Sequence, residues 1–218
     1  MADMTKSQFF SEWSALHGGA EVRGVVKGWL TLSYFIVKPL HLLKVSPNVI
    51  TVAGLALGAL TWAKAHYVSA IFLVLLSLIA DGIDGSLAIV SKKTSLWGAA
   101  LDSVIDRIVE FFWALTFYRI GAPVIVIGFA WVAALTQEYV RARAAGLGYR
   151  EIGVVTVCER PVRAIILTLA LISYQIFDRS LIGVEIAIWA WLWLQLLSLV
   201  VVLRDSYAAL RSDNRLSN

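Results

Sequence analysis

Residues 81–106 read DGIDGSLAIVSKKTSLWGAALDSVID, and this stretch sets four carboxylates inside two apolar runs. Asp81 and Asp84 are three residues apart in one of these runs, and Asp102 and Asp106 are four residues apart in the other. Residues with these spacings lie on one face of a helix, about one turn apart. The stretch therefore predicts two helices that each present a pair of carboxylates, separated by a short polar connection.

The composition of the whole chain is that of a membrane protein. Of the 218 residues, 59% are hydrophobic and only 16% are charged, and the mean hydropathy is +0.77. Soluble domains are about half apolar and about a quarter charged, so this excess excludes an ordinary soluble core, a disordered chain and a charge-driven nucleic-acid module. A single cysteine, Cys158, excludes a disulfide scaffold. We expect an all-α polytopic membrane protein.

Six apolar runs are candidates for membrane-spanning helices, because a helix needs about 20 residues to cross the hydrocarbon core. They cover residues 49–63, 67–90, 95–118, 120–140, 163–177 and 181–203. We expect one six-helix transmembrane domain over 46–203, preceded by a segment 1–45 and followed by a cytoplasmic tail 204–218. Residues 22–43 fit an amphipathic interfacial helix on the membrane surface, which Pro39 would kink or end.

Lysine and arginine are distributed asymmetrically over the connections between these runs. With the N-terminus in the cytoplasm, fifteen fall on the cytoplasmic side: Lys6, Arg23, Lys27, Lys38, Lys44, Lys92, Lys93, Arg141, Arg143, Arg150, Arg160, Arg163, Arg204, Arg211 and Arg215. Three fall on the other side: Lys64, Arg119 and Arg179. Because cytoplasmic loops carry the excess of positive charge, both termini are predicted to be cytoplasmic. The positive face suits anionic lipid headgroups.

Four carboxylates within the second and third runs need compensation. Each costs roughly 2.5–3.5 kcal/mol at mid-bilayer, so four would cost about 10 kcal/mol, comparable to the stability of a whole domain. Arg107 is the only basic residue in the second and third runs, residues 67–90 and 95–118. Because one arginine cannot neutralise four carboxylates, ion pairs between helices are a weak alternative. Bridging divalent cations would neutralise all four carboxylates. A cation-transport pathway is a second alternative.

The same stretch resembles the signature of the CDP-alcohol phosphotransferases, D-x-x-D-G-x-x-A-R, about eight residues, then G-x-x-x-D-x-x-x-D. Every aspartate and glycine of that pattern is present, as is Ala88, and only Ile89 departs from it, where the family has arginine. The resemblance covers most of the chain from Ser46 onward. It is nearest the bacterial enzymes that make phosphatidylglycerol phosphate and phosphatidylinositol phosphate. It implies six helices and a homodimer. The depths of Asp81, roughly 21 Å from the outer side, and of Asp102, about 10 Å from the cytoplasmic side, predict an active site near the cytoplasmic face of the cell membrane.

The resemblance also implies a reaction and a set of site residues. CDP-diacylglycerol would donate its phosphatidyl group to an acceptor hydroxyl, CMP would leave, and two divalent cations, Mg²⁺ or Mn²⁺, would hold the diphosphate. The metal ligands would be Asp81, Asp84, Asp102 and Asp106, with Asp106 as ligand or as the catalytic base. The donor contacts would be Asn48, Thr51, Gly85 and Ser95. Ile89 implies a weaker donor site, a different donor or a non-catalytic relative, unless Lys92 or Lys93 substitutes for the arginine.

Four arginines flank the connection between the fourth and fifth runs: Arg141, Arg143, Arg160 and Arg163. A guanidinium binds two phosphate oxygens at once, and Pro161 indicates a helix start, where anions bind. Positive-inside topology is the other explanation for these charges. The two basic stretches, residues 139–144 and 159–163, resemble those that line the family's acceptor pocket. This resemblance implies a phosphate-bearing acceptor. We expect glycerol 3-phosphate, with phosphatidylglycerol or inositol phosphate as alternatives.

Overall fold

The computed structural model describes residues 4–149 and 153–216, without the side chains of 212–216. Every regular element in these residues is an α-helix, as predicted. In chain order the helices are α1 (Lys6–Leu16), α2 (Gly24–Leu42), α3 (Pro47–Ala63), α4 (Ser69–Val90), α5 (Leu96–Arg119), α6 (Val124–Gly146), α7 (Arg160–Ile176) and α8 (Ile182–Leu216). The chain forms two compact units, one of residues 4–57 and 76–109, the other of residues 58–75 and the described residues from 110 onward.

In the first unit, an apolar cluster joins α1 and α2 to the later turns of α4. Its buried members are Phe9, Leu30, Tyr34, Val37, Ile83, Leu87, Ile89 and Val90. A capping box formed by Thr5 and Gln8 begins α1. The Tyr34 hydroxyl donates to the Met4 carbonyl oxygen at 2.8 Å. These contacts pack the N-terminal helices against α4, which carries Asp81 and Asp84.

The helix predicted over residues 22–43 is present as α2, and it continues past Pro39 for three residues. The chain then turns at Lys44, whose φ of 57° is left-handed, and α3 is bent by 114° from α2. The Val45 N–H closes the last turn by donating to the Leu40 carbonyl oxygen at 3.0 Å. The left-handed residue therefore ends α2. Its placement on a membrane surface stays a prediction.

In the second unit, α8 packs along α6 and α7. Trp191 of α8 is 1% exposed and lies against Phe117, with ring centroids 5.6 Å apart. At Gly183 of α8, an added Cβ would overlap the side chain of Ser173 on α7. A residue without a side chain allows this close approach of the two helices. The packing fixes α7, which begins at Arg160.

Within the described residues, three helical stretches are long and apolar enough to cross a membrane: Ser69–Val90, Val124–Gly146 and Ile182–Arg211. The bent pair of α2 and α3 makes a fourth if it counts as one span. Helix α5 has 24 residues but carries two aspartates, a glutamate and two arginines, and α7 has only 17 residues. The apolar helices are those of an integral membrane protein. The count of six spans stays a prediction.

Helix α8 continues to Leu216, so the described part of the predicted tail extends the last helix. The apolar run ends at Leu203, but a helix needs no apolar side chains to continue, because lysine, arginine and alanine are all good helix formers. Arg150, counted on the predicted cytoplasmic side, lies outside the described residues, as does the side chain of Arg215.

Candidate metal centre and basic cluster

Aspartates of α4 and α5 come together in the first unit. One oxygen atom each from Asp81, Asp102 and Asp106 lies within 4.8 Å of the other two. Asp102 and Asp106 are one turn apart on α5, so both side chains lie on one helix face and reach Asp81 of α4. All three side chains are partly exposed. The spacing in the sequence predicts this grouping.

Asp84 is the most buried of the four aspartates, at 4% exposed, and it lies outside that group of three oxygen atoms. The Thr51 hydroxyl donates to its Oδ2 at 2.6 Å, and the Gly85 N–H donates to its Oδ1 at 2.6 Å. Its carboxyl group also lies within hydrogen-bonding distance of Asp102. These bonds hold the Asp84 carboxyl group in one orientation beside the other aspartates.

Two of the residues expected to contact the donor lie beside Gly98. Asn48 is at the start of α3, and Ser95 directly precedes α5. A Cβ built on Gly98 would be 3.0 Å from Ser95 Oγ and 3.6 Å from Asn48 Oδ1. Ser95 caps α5 by accepting the Gly98 N–H at 3.0 Å. Gly85 faces open space instead, because a Cβ there would meet no atom within 4 Å. The structure thus brings Asn48 and Ser95 together and leaves room at Gly85.

The chemistry of this centre fits a hard divalent cation. Its donors are carboxylate oxygens, the ligands that Mg²⁺ and Mn²⁺ prefer, and three of them are close enough to share an ion. Arg107 Nη2 lies 3.7 Å from Asp106 Oδ2. One guanidinium carries one positive charge, whereas the four aspartates carry four negative charges when ionised. A divalent cation therefore fits the residues better than ion pairing alone.

Ile89 occupies the position where the family signature has arginine. It is 6% exposed and belongs to the apolar cluster of α1, α2 and α4. Helix α4 ends one residue later, and Lys92 turns the chain with a left-handed φ of 53°. The side chains of Lys92 and Lys93 are both exposed. A guanidinium at position 89 would be buried among apolar side chains at a large cost, so isoleucine suits the packing of this chain.

The four arginines of the basic stretches take different positions in the second unit. Arg143 is exposed on α6. Arg160 is 9% exposed, and its guanidinium lies over the Trp113 ring, 5.4 Å from the centroid. Arg163 is buried, and Arg141 is partly buried. The four side chains are therefore not equivalent as ligands for a phosphate.

Arg141 is bound by a carboxylate that the sequence analysis did not single out. Its Nη2 and Nη1 donate to the two oxygen atoms of Glu159 at 2.6 and 2.9 Å. Thr156 donates to Glu159 through its N–H and its hydroxyl, at 2.8 and 2.7 Å. Burial raises the pKa of Glu159, but the bonds from Arg141 and Thr156 outweigh burial and lower it to about 2. Glu159 is therefore ionised at neutral pH.

Arg163 belongs to a buried polar network of the second unit. Its Nη1 donates to Glu110 at 2.7 Å, and its Nε donates to Gln195 Oε1 at 2.9 Å and to the Cys158 carbonyl oxygen at 3.1 Å. Gln195 Nε2 donates in turn to Gln137 Oε1 at 2.8 Å. The side chains of Arg163 and Glu110 are at most 1% exposed. The sequence signal for this network is Glu110 within an apolar run, because a buried carboxylate needs a charged or polar partner such as Arg163.

Comparison with known proteins places the chain in a family. Residues 44–203 match the model of the CDP-alcohol phosphatidyltransferases. A phosphatidylinositol phosphate synthase of Corynebacterium glutamicum is 30% identical over 168 residues, which are 71% of this chain and 74% of the relative. An archaetidylinositol phosphate synthase of Aeropyrum pernix is 34% identical over 106 residues, 47% of this chain and 54% of the relative. An uncharacterised protein of Aquifex aeolicus is 36% identical over 135 residues, 56% and 66% of the two chains.

The fold is that of solved structures of a Mycobacterium tuberculosis phosphatidylinositol phosphate synthase. With CDP-DAG bound, that enzyme matches with a TM-score of 0.65 and 22% identity over 81% of this chain and 94% of its own. In complex with manganese and citrate, it matches with a TM-score of 0.68 and 23% identity over 80% and 88%. The family match contains the whole aspartate stretch and confirms its resemblance. This chain belongs to the CDP-alcohol phosphatidyltransferase family.

Proposed function

We propose that this protein transfers a phosphatidyl group from CDP-diacylglycerol to the hydroxyl of a phosphate-bearing alcohol and releases CMP. The observation that carries the proposal is the grouping of the Asp81, Asp102 and Asp106 oxygen atoms within 4.8 Å, in a chain of this family. Residues 69–80 and 111–118, in the other halves of the same two helices, contain no charged residue. This pattern favours a one-sided reaction centre over the alternative of a cation pathway.

The reaction needs a base, a metal site and room for the nucleotide. The acceptor oxygen bonds to the phosphorus that carries diacylglycerol, and the bond from that phosphorus to the CMP oxygen breaks. Asp106 accepts the proton of the acceptor hydroxyl, and a positioned base contributes about 10²–10⁴-fold. Two divalent cations, Mg²⁺ or Mn²⁺, held by the four aspartates would neutralise the charge that develops on the phosphate of the departing CMP. The open space at Gly85 supports close approach of the cytidine nucleotide there.

The acceptor is a phosphorylated polyol in this proposal, bound through arginines of the basic stretches. The exposed Arg143 supports a phosphate contact. A cavity of about 200 Å³ lies beside Arg141, and its lining combines small apolar residues with Tyr149, Asp205 and Ser206. These three side chains suit hydroxyl groups of the acceptor. Two relatives are named for inositol phosphate products, so we rank inositol phosphate first. Glycerol 3-phosphate, expected from the sequence, is the second candidate.

The charges of the chain support a placement in the cell. We propose six membrane spans in the cell membrane, both termini and the aspartate centre on the cytoplasmic side, and α2 in the interface. The excess of lysine and arginine on one side supports this orientation. A homodimer, which the family resemblance implies, is part of the same proposal.

The test is CMP release by the purified protein in detergent with CDP-diacylglycerol and Mg²⁺, with one acceptor at a time. We expect release with inositol phosphate and, if that fails, with glycerol 3-phosphate. Asp106→Asn should remove turnover while the protein keeps its melting temperature. Asp178→Asn, on a connection of the second unit, is the matched control and should keep full activity. Full activity of Asp106→Asn, or no release with any acceptor, would overturn the proposal.

A further inference from the structure

Arg141 has partners on both of its terminal nitrogen atoms, Nη1 and Nη2, and two of these partners belong to one connecting segment. Besides its two bonds to Glu159, its Nη2 donates to the Val154 carbonyl oxygen at 3.0 Å. Its Nη1 lies 3.3 Å from Glu138 Oε1. Two carboxylates thus lie beside the Arg141 guanidinium, and one of them, Glu138, also lies 3.5 Å from Arg163 Nη2. We name residues 154–159 the entry segment, because it leads into α7.

The entry segment is held at its other end by Arg163. The Arg163 Nε donates to the Cys158 carbonyl oxygen, and the Cys158 N–H donates to Ser198 Oγ at 3.0 Å. Arg163 itself is anchored by Glu110. Two arginines from different helices therefore bind backbone carbonyl groups of the same six-residue segment, one near its start and one near its end.

The position of Arg160 depends on this arrangement. Glu159 is the residue before α7, and Arg160 is the first residue of that helix. The Arg160 guanidinium lies over Trp113. Because Arg141 grips the side chain of Glu159 through both carboxylate oxygens, it fixes the backbone from which Arg160 projects.

We propose that Arg141 and Glu159 form a clasp that positions the entry segment and Arg160, so that Arg141 acts on acceptor binding through Glu159 rather than by touching the acceptor's phosphate. The inference rests on the proposed function for its acceptor. It assigns the direct phosphate contact to Arg143 and Arg160. A phosphate at Arg141 would have to displace Glu159 and would meet the charge of Glu138.

The two roles for Arg141 predict opposite effects of Glu159→Gln, which removes one negative charge and keeps the shape of the side chain. If the clasp positions Arg160, we expect the acceptor KM to rise about tenfold, the effect of one lost charged hydrogen bond, with the KM for CDP-diacylglycerol unchanged. If Arg141 binds the phosphate directly, freeing it from Glu159 leaves the acceptor KM unchanged or lowers it. That result would overturn the proposal. Glu185→Gln, an exposed acid of α8, is the matched control.

A charge swap tests the clasp without relying on activity. Arg141→Glu and Glu159→Arg should each lower the melting temperature, because each leaves a partly buried charge facing a like charge. The double variant restores the attraction and should recover most of the loss. A double variant no more stable than the worse single variant would overturn the clasp. If the wild type releases no CMP with any acceptor, the proposed function fails, and the melting temperatures still decide whether the pair forms.

Discussion

Asp84 differs from the other three aspartates because its carboxyl group is fixed by hydrogen bonds before any ligand binds. Thr51 and the Gly85 N–H each donate to one of its oxygen atoms, whereas Asp81, Asp102 and Asp106 form the group whose oxygen atoms share one small volume. A residue that orients a metal ligand is nearly as important to metal affinity as the ligand itself. In the proposed metal centre, where Asp84 is a ligand, Thr51 would have this role.

Replacing Thr51 by valine keeps the shape of the side chain and removes the hydroxyl that orients Asp84. We expect the Mg²⁺ concentration for half-maximal activity to rise about 10–100-fold, the usual effect of losing a partner of a metal ligand. Titration of CMP release with Mg²⁺ measures this shift. Thr168→Val is the control, because the Thr168 hydroxyl donates to a carbonyl group of its own helix, that of Ala164, and not to an aspartate of the described residues. An unchanged Mg²⁺ dependence in Thr51→Val would contradict the prediction.

Cys158 is buried in the entry segment, and its reactivity follows from that burial. Burial raises the pKa of the Cys158 thiol to about 11, so at pH 8 it is protonated and a poor nucleophile. We expect maleimide to leave the folded protein unmodified at pH 8 and to modify it fully in denaturant, as intact mass shows. The folded state holds the thiol proton more tightly than the unfolded chain does. Stability therefore falls as the pH rises from about 9 to about 11. Rapid modification of the folded protein would contradict this account.

At the scale of helices, the sequence predicts what depends on spacing within one helix. Asp102 and Asp106 share a face because they are four residues apart, and the apolar runs indicate where helices lie. Arg141 and Glu159 are joined across a connection without periodicity, so no spacing rule pairs them. The end of α2 depends on the left-handed backbone conformation of Lys44. This conformation is uncommon for residues other than glycine, so the sequence does not predict it. Helix α2 ends three residues after Pro39, one residue before the predicted end at 43.

The crossing of α7 and α8 depends on Gly183. A Cβ at this position would overlap Ser173 Cβ, which cannot rotate away. We expect Gly183→Ala to destabilise the second unit by about 1–3 kcal/mol, the usual cost of overpacking, and to lower the melting temperature. Adding Ser173→Gly should restore much of the loss, because it removes the atoms that clash.

The control for this prediction is Gly128→Ala in α6. A Cβ at Gly128 would meet no atom within 4 Å, and alanine favours a helix over glycine by about 1 kcal/mol. This variant should therefore be as stable as the wild type or more stable. Thermal unfolding of the detergent-solubilised variants measures both effects. Equal melting temperatures for Gly183→Ala and Gly128→Ala would show that the crossing has room for a methyl group.

At the scale of the whole molecule, the charges of the connections define two different faces. Fifteen lysines and arginines fall on one predicted side and three on the other. The first aspartate of α4 lies twelve residues after the start of that helix at Ser69, about 18 Å along it at 1.5 Å per residue. A centre at that depth is reached from the side on which α4 ends. The orientation of the chain therefore decides from which compartment the acceptor arrives.

Single cysteines test this orientation in the Cys158→Ser background. Ser11→Cys and Ala208→Cys lie at exposed positions on the predicted cytoplasmic side, and Ser69→Cys lies at an exposed position at the start of α4. A membrane-impermeant maleimide should label Ser69→Cys in intact cells and the other two only after the membrane is permeabilised, because the positive connections stay in the cytoplasm. Labelling of Ser11→Cys and Ala208→Cys in intact cells, with Ser69→Cys protected, would place the aspartate centre on the opposite face. Both the charge rule and the proposed cytoplasmic acceptor would then fail together.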